Sequence, residues 1–257
     1  MDSDALRAAD RALAHAWAVM GRNGGFPVVA GPSMTMFASG TPFEFFNGAI
    51  ATAPASDPDG AVRELLAFFT SKDVPYALSV RDGTDDALLA AGRAAGLVED
   101  PRGALLMVLN PITSAPAPPA LLDVALATDA TDLQMHRDLV VAGMGMRVDV
   151  AQRLYGDGCL DDPDLAIVIG RVDAVPVATA MLVTSDETAG VYNVVTPAEH
   201  RGKGYGAAVT WAVVAEGARR GCTHAVLQPS ESGYPVYHRM GFVIGAHYVE
   251  LAGPPPA

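Results

Sequence analysis

The sequence predicts a two-domain α/β protein with mixed α+β sheets, and three observations carry that prediction. The chain has 257 residues, enough for one large domain or two of ordinary size, and half of them are hydrophobic, so a core is readily buried. Residues 111–119 contain four prolines and no charge, the composition of a stiff extended linker, and divide the chain into near-equal halves. Helical and strand patterns alternate on both sides of that break. The halves also close alike, Ala95-Gly96-Leu97-Val98 being mirrored by Met240-Gly241-Phe242-Val243, which fits a diverged duplication. The expected boundaries are residues 1–110, a linker at 111–120, a second domain at 121–252 and a proline-rich tail at 253–257.

In the first half, Leu6, Ala9, Leu13, Ala16, Trp17 and Met20 recur at three and four, which predicts a helix with Gly21 as its stop. A strand follows over Phe43–Ile50. A helix starts at Asp57-Pro58, with Val62, Leu65, Leu66 and Phe69 on one face. A strand at Tyr76–Val80, a helix at Asp85–Ala95 and a strand at Ala104–Leu109 complete this half. In the second half, Val124–Ala127 reads as a strand and Thr131–Val141 and Val150–Tyr155 as helices. Leu165–Val172 and Val175–Val183 read as a hairpin turning at Asp173-Ala174. Strand Val191–Val195, helix Gly204–Arg220, strand His224–Leu227, a short helix at Pro235–Met240 and strand Phe242–Leu251 follow. The glycine- and methionine-rich run Gly143–Met146 reads as an irregular loop, with a mobile lid as the alternative.

Composition excludes several functions. The longest apolar runs, such as Leu105–Leu109, fall far short of the ~18 residues that span a bilayer. Asp2 and Asp4 at the start, with no basic segment, do not read as a secretory leader. Cys159 and Cys222 are too few for a disulfide framework or a structural zinc site, and the six histidines lack metal-ligand spacing. Seventeen basic against 29 acidic groups give a net charge of −12, which opposes nucleic acid and anionic lipid and mildly favours cationic ligands. The expectation is a cytoplasmic protein with no metal and no nucleic-acid or membrane partner.

The informative segment is Val194-Val195-Thr196-Pro197-Ala198-Glu199-His200-Arg201-Gly202-Lys203-Gly204-Tyr205-Gly206-Ala207. It reads as a strand, a glycine-rich turn and a helix that ends at Arg219-Arg220-Gly221. Glycines at alternate positions free backbone N–H groups to converge, and with the positive helix end they make a phosphate site to which Arg201 and Lys203 add charge. A dinucleotide fingerprint is met by Gly202, Gly204 and Ala207, but Leu227-Gln228 stand where its acidic residue belongs. A P-loop fails because Lys203 is not followed by Ser or Thr.

Arg201-x-x-Gly204-x-Gly206 after a strand, followed about 35 residues later by Tyr237-His238-Arg239-Met240-Gly241-Phe242, resembles the GNAT superfamily of N-acetyltransferases. The resemblance covers residues 121–252 and is sharpest over 191–245. In the first half it is architectural only, because Asn47–Gly60 has no Arg-x-x-Gly-x-Gly. It implies a tandem protein of two GNAT-like domains, the first degenerate. The second would be complete, with a mostly antiparallel sheet flanked by helices.

The activity implied is transfer of an acetyl group from acetyl-CoA to a small-molecule or peptide amine, through a tetrahedral intermediate. By resemblance, strand residues Val194, Val195 and Thr196 pair with pantetheine, and an N–H near Val195 polarises the thioester carbonyl. Arg201, Gly202, Lys203, Gly204, Tyr205, Gly206 and Ala207 hold the pyrophosphate. Val195 stands six residues before Arg201 where five is the commoner spacing, which shifts the pantetheine register by one.

Tyr237 corresponds to the family's general acid, with packing as the alternative role. Ser230 sits where many members carry a cofactor-touching asparagine, with a turn serine as the alternative. Val191–Val195 carries no carboxylate, so the base is unassigned; Glu187, Glu199, Glu231 and ordered water remain open. A CoA-binding sensor or scaffold without catalysis is the rival reading.

Overall fold

The computed structural model describes residues 3–254. Asp2 and the end of the expected Pro254–Pro256 tail lie outside the described residues. The chain divides into two compact units, one formed by residues 1–106 and 244–257, the other by residues 107–243.

The first unit opens with α1 (Ser3–Gly24). That helix runs through Gly21, which was expected to end it. A side chain at Gly21 would meet Val28 Cγ2 at 2.3 Å, so this glycine serves close packing, and the stop is Gly25, at φ +67°. β1 (Val28–Ala30) and β2 (Met34–Ala38) form an antiparallel hairpin that the sequence pattern did not reveal. Every residue of β2 is buried, so no polar alternation marks it. The strand expected over Phe43–Ile50 is a 3-10 turn, Glu44–Phe46, followed by β3 (Asn47–Ala51). α2 (Pro58–Phe69), β4 (Ala77–Arg81) and α3 (Asp86–Ala94) match expectation, and β5 (Val98–Leu109) starts earlier than predicted.

In the second unit, β6 (Asp123–Leu126) leads to α4 (Ala130–Met144), α5 (Val148–Leu154) and the hairpin β7 (Leu165–Val172)–β8 (Val175–Ser185). Asp173 and Ala174 at its tip both have positive φ, the two-residue geometry that matches strand twist. α4 continues three residues beyond its expected end. Gly143 and Met144 are therefore helical, and only Gly145, at φ +66°, turns the chain. β9 (Thr188–Val195), α6 (Tyr205–Arg219), β10 (His224–Leu227) and α7 (Tyr234–Arg239) follow. The last strand, β11 (Val243–Ala252), pairs antiparallel with β4 and groups with the first unit from Ile244 onward.

Strand order in the first unit is β1-β2-β3-β4-β11-β5; in the second, the end of β5 is followed by β10-β9-β8-β7-β6. Neighbours in the second unit are antiparallel except β9 and β10, which run parallel. α6 buries Val209, Val213 and Val214 against Ala180, Leu182 and Ala189 in one core cluster. Leu65, Leu78, Leu88 and Leu251 centre the core of the first unit. No helix among the described residues is long and apolar enough to cross a membrane, and no group of three or more His, Cys, Asp or Glu among them could hold a metal.

Candidate active site

β9 is paired along only part of one side. Thr188, Ala189 and Gly190 match His224, Ala225 and Val226 of β10, while Val191–Val195 have no partner on that strand. On the other side β9 pairs with β8, but the register slips. Thr179 faces Val195 and Met181 faces Tyr192, so Asn193 and Val194 together oppose Ala180 alone. Asn193 takes the extra turn at φ +50°. The result is a β-bulge that bends the strand where its second edge opens.

The strand delivers the chain to the glycine turn. Arg201 donates from Nε to the Thr196 carbonyl at 2.9 Å, tying the turn to the strand end. Gly202 (φ +77°) and Gly204 (φ +81°) both lie in the left-handed region, where a side chain costs ~1–2 kcal/mol. α6 then starts with no side-chain cap and no acidic residue in its first turn, leaving the first N–H groups free at the positive helix end. Arg201, Gly202, Lys203 and Gly204 are exposed, Tyr205 is buried, and Gly206 and Ala207 are partly buried.

A Cβ on Gly206 would lie 3.2 Å from Thr196 Oγ1. That hydroxyl oxygen is buried and has no hydrogen-bond partner. Lys203 Nζ stands 6.0 Å from the centroid of the Tyr205 ring. Neither Arg201 nor Lys203 has a carboxylate partner among the described residues. The turn is thus a concentration of free positive charge on an acidic protein.

The corresponding segment of the first unit is closed. There β3 pairs with β4 through Gly48, Ala49 and Ile50, leaving only Ala51 beyond. α2 is capped by its own Asp57, which accepts from Gly60 N at 2.9 Å, and Asp59 adds a second carboxylate in the first turn. Asp85 accepts from Ala55 N at 2.7 Å, pinning the intervening loop. One helix end offers free donors and cations; its counterpart satisfies itself with acids.

Tyr237, on α7, packs against the core cluster that holds Val191, Leu227 and Phe242, with its ring 6.0 Å from that of Phe242 in an edge-on arrangement. Burial pushes its phenol up to about 12. Ser230 is exposed; its Oγ accepts from Gly233 N at 3.1 Å, which gives it a turn-forming role whatever else it does. Gly233 separates the two, since a Cβ there would meet the Tyr237 ring at 3.0 Å and Ser230 Oγ at 3.1 Å.

The carboxylates considered as bases are dispersed. Glu187 precedes the start of β9, at the end remote from the turn, with its carbonyl accepting from Thr223 N at 2.9 Å. Glu199 and Glu231 are exposed. Tyr192 lies with its hydroxyl oxygen 2.7 Å from where a Gly190 Cβ would stand, and burial raises its pKa.

Two features of this site escaped the sequence reading. Gly143, in the last turn of α4, sits so close to the open strand that a Cβ would fall 2.1 Å from Val195 Cγ1. Beneath β8, the fully buried His136 brings Nδ1 within 2.8 Å of Thr179 Oγ1. Its position with Leu133, Leu139 and Val140 on the buried face of α4 was the available signal.

The second unit thus presents a strand with one open edge that runs into a basic glycine turn and an uncapped helix, on a mostly antiparallel sheet. Residues 134–242, within the second unit, match the family model of the acetyltransferase (GNAT) family. Solved structures share the fold over nearly the full chain. The GCN5-related N-acetyltransferase from Kribbella flavida is 21% identical with a TM-score of 0.69, covering 94% of this chain and 95% of its own. The GCN5-related N-acetyltransferase from Sphaerobacter thermophilus is 15% identical with a TM-score of 0.61, covering 96% and 92%. A tandem GNAT protein from the clavulanic acid biosynthesis pathway is 14% identical with a TM-score of 0.60, covering 98% and 97%. No curated protein sequence matches the chain.

Proposed function

We propose that the second unit transfers an acetyl group from acetyl-CoA to the amine of a small-molecule or peptide acceptor, and that the first unit is a degenerate, non-catalytic copy. The observation that carries this reading is the unpaired stretch Val191–Val195 running into a basic turn and an uncapped helix. Acetyl-CoA supplies an activated thioester; the chain supplies the binding, orientation and proton transfer.

The residues fit that substrate. The free edge of Val194, Val195 and Thr196 offers backbone groups to the amides of pantetheine, and an N–H near Val195 stabilises negative charge developing on the carbonyl oxygen. N–H groups of Gly202–Ala207 hold the pyrophosphate at the helix end, with Arg201 and Lys203 adding charge-assisted hydrogen bonds. Ser230 lies on the turn before α7 and adds a polar contact.

Tyr237 keeps its proton throughout the physiological range, because burial holds its phenol near 12. It can still protonate a departing thiolate in the same desolvated site, where burial raises the sulfur's proton affinity as well. The open strand bears no carboxylate, so this reading assigns no residue of the chain as the base that takes the amine proton.

The same missing carboxylate favours one alternative, a CoA-binding protein without turnover. Thiol release from acetyl-CoA measured against a panel of primary amines separates the two. Acceptor-dependent release that Tyr237→Phe slows supports the enzyme, and tight binding with no release on any amine supports the alternative.

A further inference from the structure

Behind β8 lies a polar cluster that the proposed chemistry leaves unused. His136 of α4 and Tyr155, just after α5, are both fully buried, with ring centroids 4.7 Å apart and planes at 85°. Thr179 Oγ1 donates its only proton to the Val168 carbonyl at 2.9 Å. His136 Nδ1, at 2.8 Å from the same oxygen, must therefore be the donor in that contact, which fixes the imidazole as the Nδ1–H tautomer. His136 Nε2 and the Tyr155 hydroxyl remain without partners. Burial depresses the imidazole to about 3, which removes His136 as a base for the reaction.

A neutral histidine with one unsatisfied nitrogen is a costly way to fill an apolar helix face, so its place in the strand pattern is informative. Thr179 is the β8 residue opposite Val195, at the register slip that forces Asn193 to positive φ. The chain of bonds from α4 through Thr179 to β7 clamps β8 at the base of the bulge.

We propose that His136 is a positioning residue, which, by donating to Thr179, fixes the bulge at Asn193-Val194 and holds the open edge of β9 in the shape that receives acetyl-CoA. The assignment rests on the acetyl-CoA reading for its consequence and on hydrogen bonding alone for its mechanism. Its action runs through β8, with no contact to the reacting atoms.

Two readouts on the full-length protein test it: amide hydrogen exchange of peptides covering residues 191–196, and calorimetric affinity for acetyl-CoA. In Thr179→Val, which keeps the volume, and in His136→Phe, exchange over 191–196 should rise ~10-fold relative to α6 peptides, with affinity falling by a similar factor. His136→Asn keeps a donor near Nδ1 and should restore both. Tyr155→Phe alters the same cluster without touching Thr179 and should leave both unchanged. Uniform acceleration across the second unit, unchanged exchange over 191–196, or failure of His136→Asn to restore it would overturn the assignment. Should the wild-type protein not bind acetyl-CoA, the functional reading falls while the exchange comparison still decides the role of His136.

Discussion

The first unit contains a carboxylate whose protonation should control its stability. Glu250 of β11 faces Ser79 of β4 across the ladder and accepts from its Oγ at 2.7 Å. Burial, with Glu44 and Asp100 adding negative charge nearby, raises Glu250 to about 7. Asp100 does not share the proton, because its hydrogen bonds to Arg102 hold it at about 2. An unfolded glutamate titrates near 4.5. The folded state therefore binds the proton more tightly, and the carboxylate costs stability as pH rises from about 4.5 through 7. With those two values the cost is under ~1 kcal/mol at pH 5 and approaches ~3 kcal/mol at pH 8, since each tenfold difference in proton affinity between the folded and unfolded chain is worth ~1.4 kcal/mol.

Glu250→Gln keeps an acceptor for Ser79 and removes the charge. Urea unfolding of both proteins at pH 5 and pH 8 should show little difference at the lower pH. At pH 8 the variant should be more stable by about 2–3 kcal/mol. A difference that does not grow between the two, or a variant less stable at pH 8, would refute the argument from burial and like charge.

Four further predictions concern the site. Arg201→Ala should weaken acetyl-CoA binding ~10- to 100-fold, the range expected for charge-assisted bonds worth about 1.5–3 kcal/mol; adding Gly204→Val should abolish it, as read by calorimetry. Tyr237→Phe should leave affinity intact and slow turnover ~10²-fold if the phenol delivers the proton, whereas normal turnover would reduce it to packing. Gly143→Ala must displace Val195 or part α4 from β9, because the new methyl would stand 2.1 Å from Val195 Cγ1, so turnover should fall ~10-fold or more. Gly145→Ala meets open space at φ +66° and should cost only ~1 kcal/mol of stability, with turnover kept.

Much of this was legible in the sequence because local chemistry and global fold agree there. The turn at Asp173-Ala174, the cap at Asp57-Pro58 and the alanine-rich helix after Gly204 each follow from short-range rules, and each stands where expected. The β1–β2 hairpin did not show, because β2 is buried on both faces and carries no alternation. Gly21 misled for a different reason. Its backbone is helical and its missing side chain makes room for Val28, a contact no local pattern announces.

At the candidate site, the glycines and the two arginine-flanked ends of the motif could be read directly. The bulge at Asn193 could not, since it arises from pairing with β8 and is visible only in the register. The same holds for the closed first unit. The sequence showed that a motif was missing; the structure adds that Asp57 caps α2 and Asp85 accepts from Ala55 N, so carboxylates already occupy donors at that helix end.

The most direct test of the central claim is calorimetric titration of the full chain with acetyl-CoA, alongside the Arg201→Ala, Gly204→Val double variant. One site per chain, lost in the variant, is the predicted result. Absence of binding, two equivalent sites, or affinity unchanged in the variant would contradict the assignment of the glycine turn of the second unit as the place where the acyl donor is held.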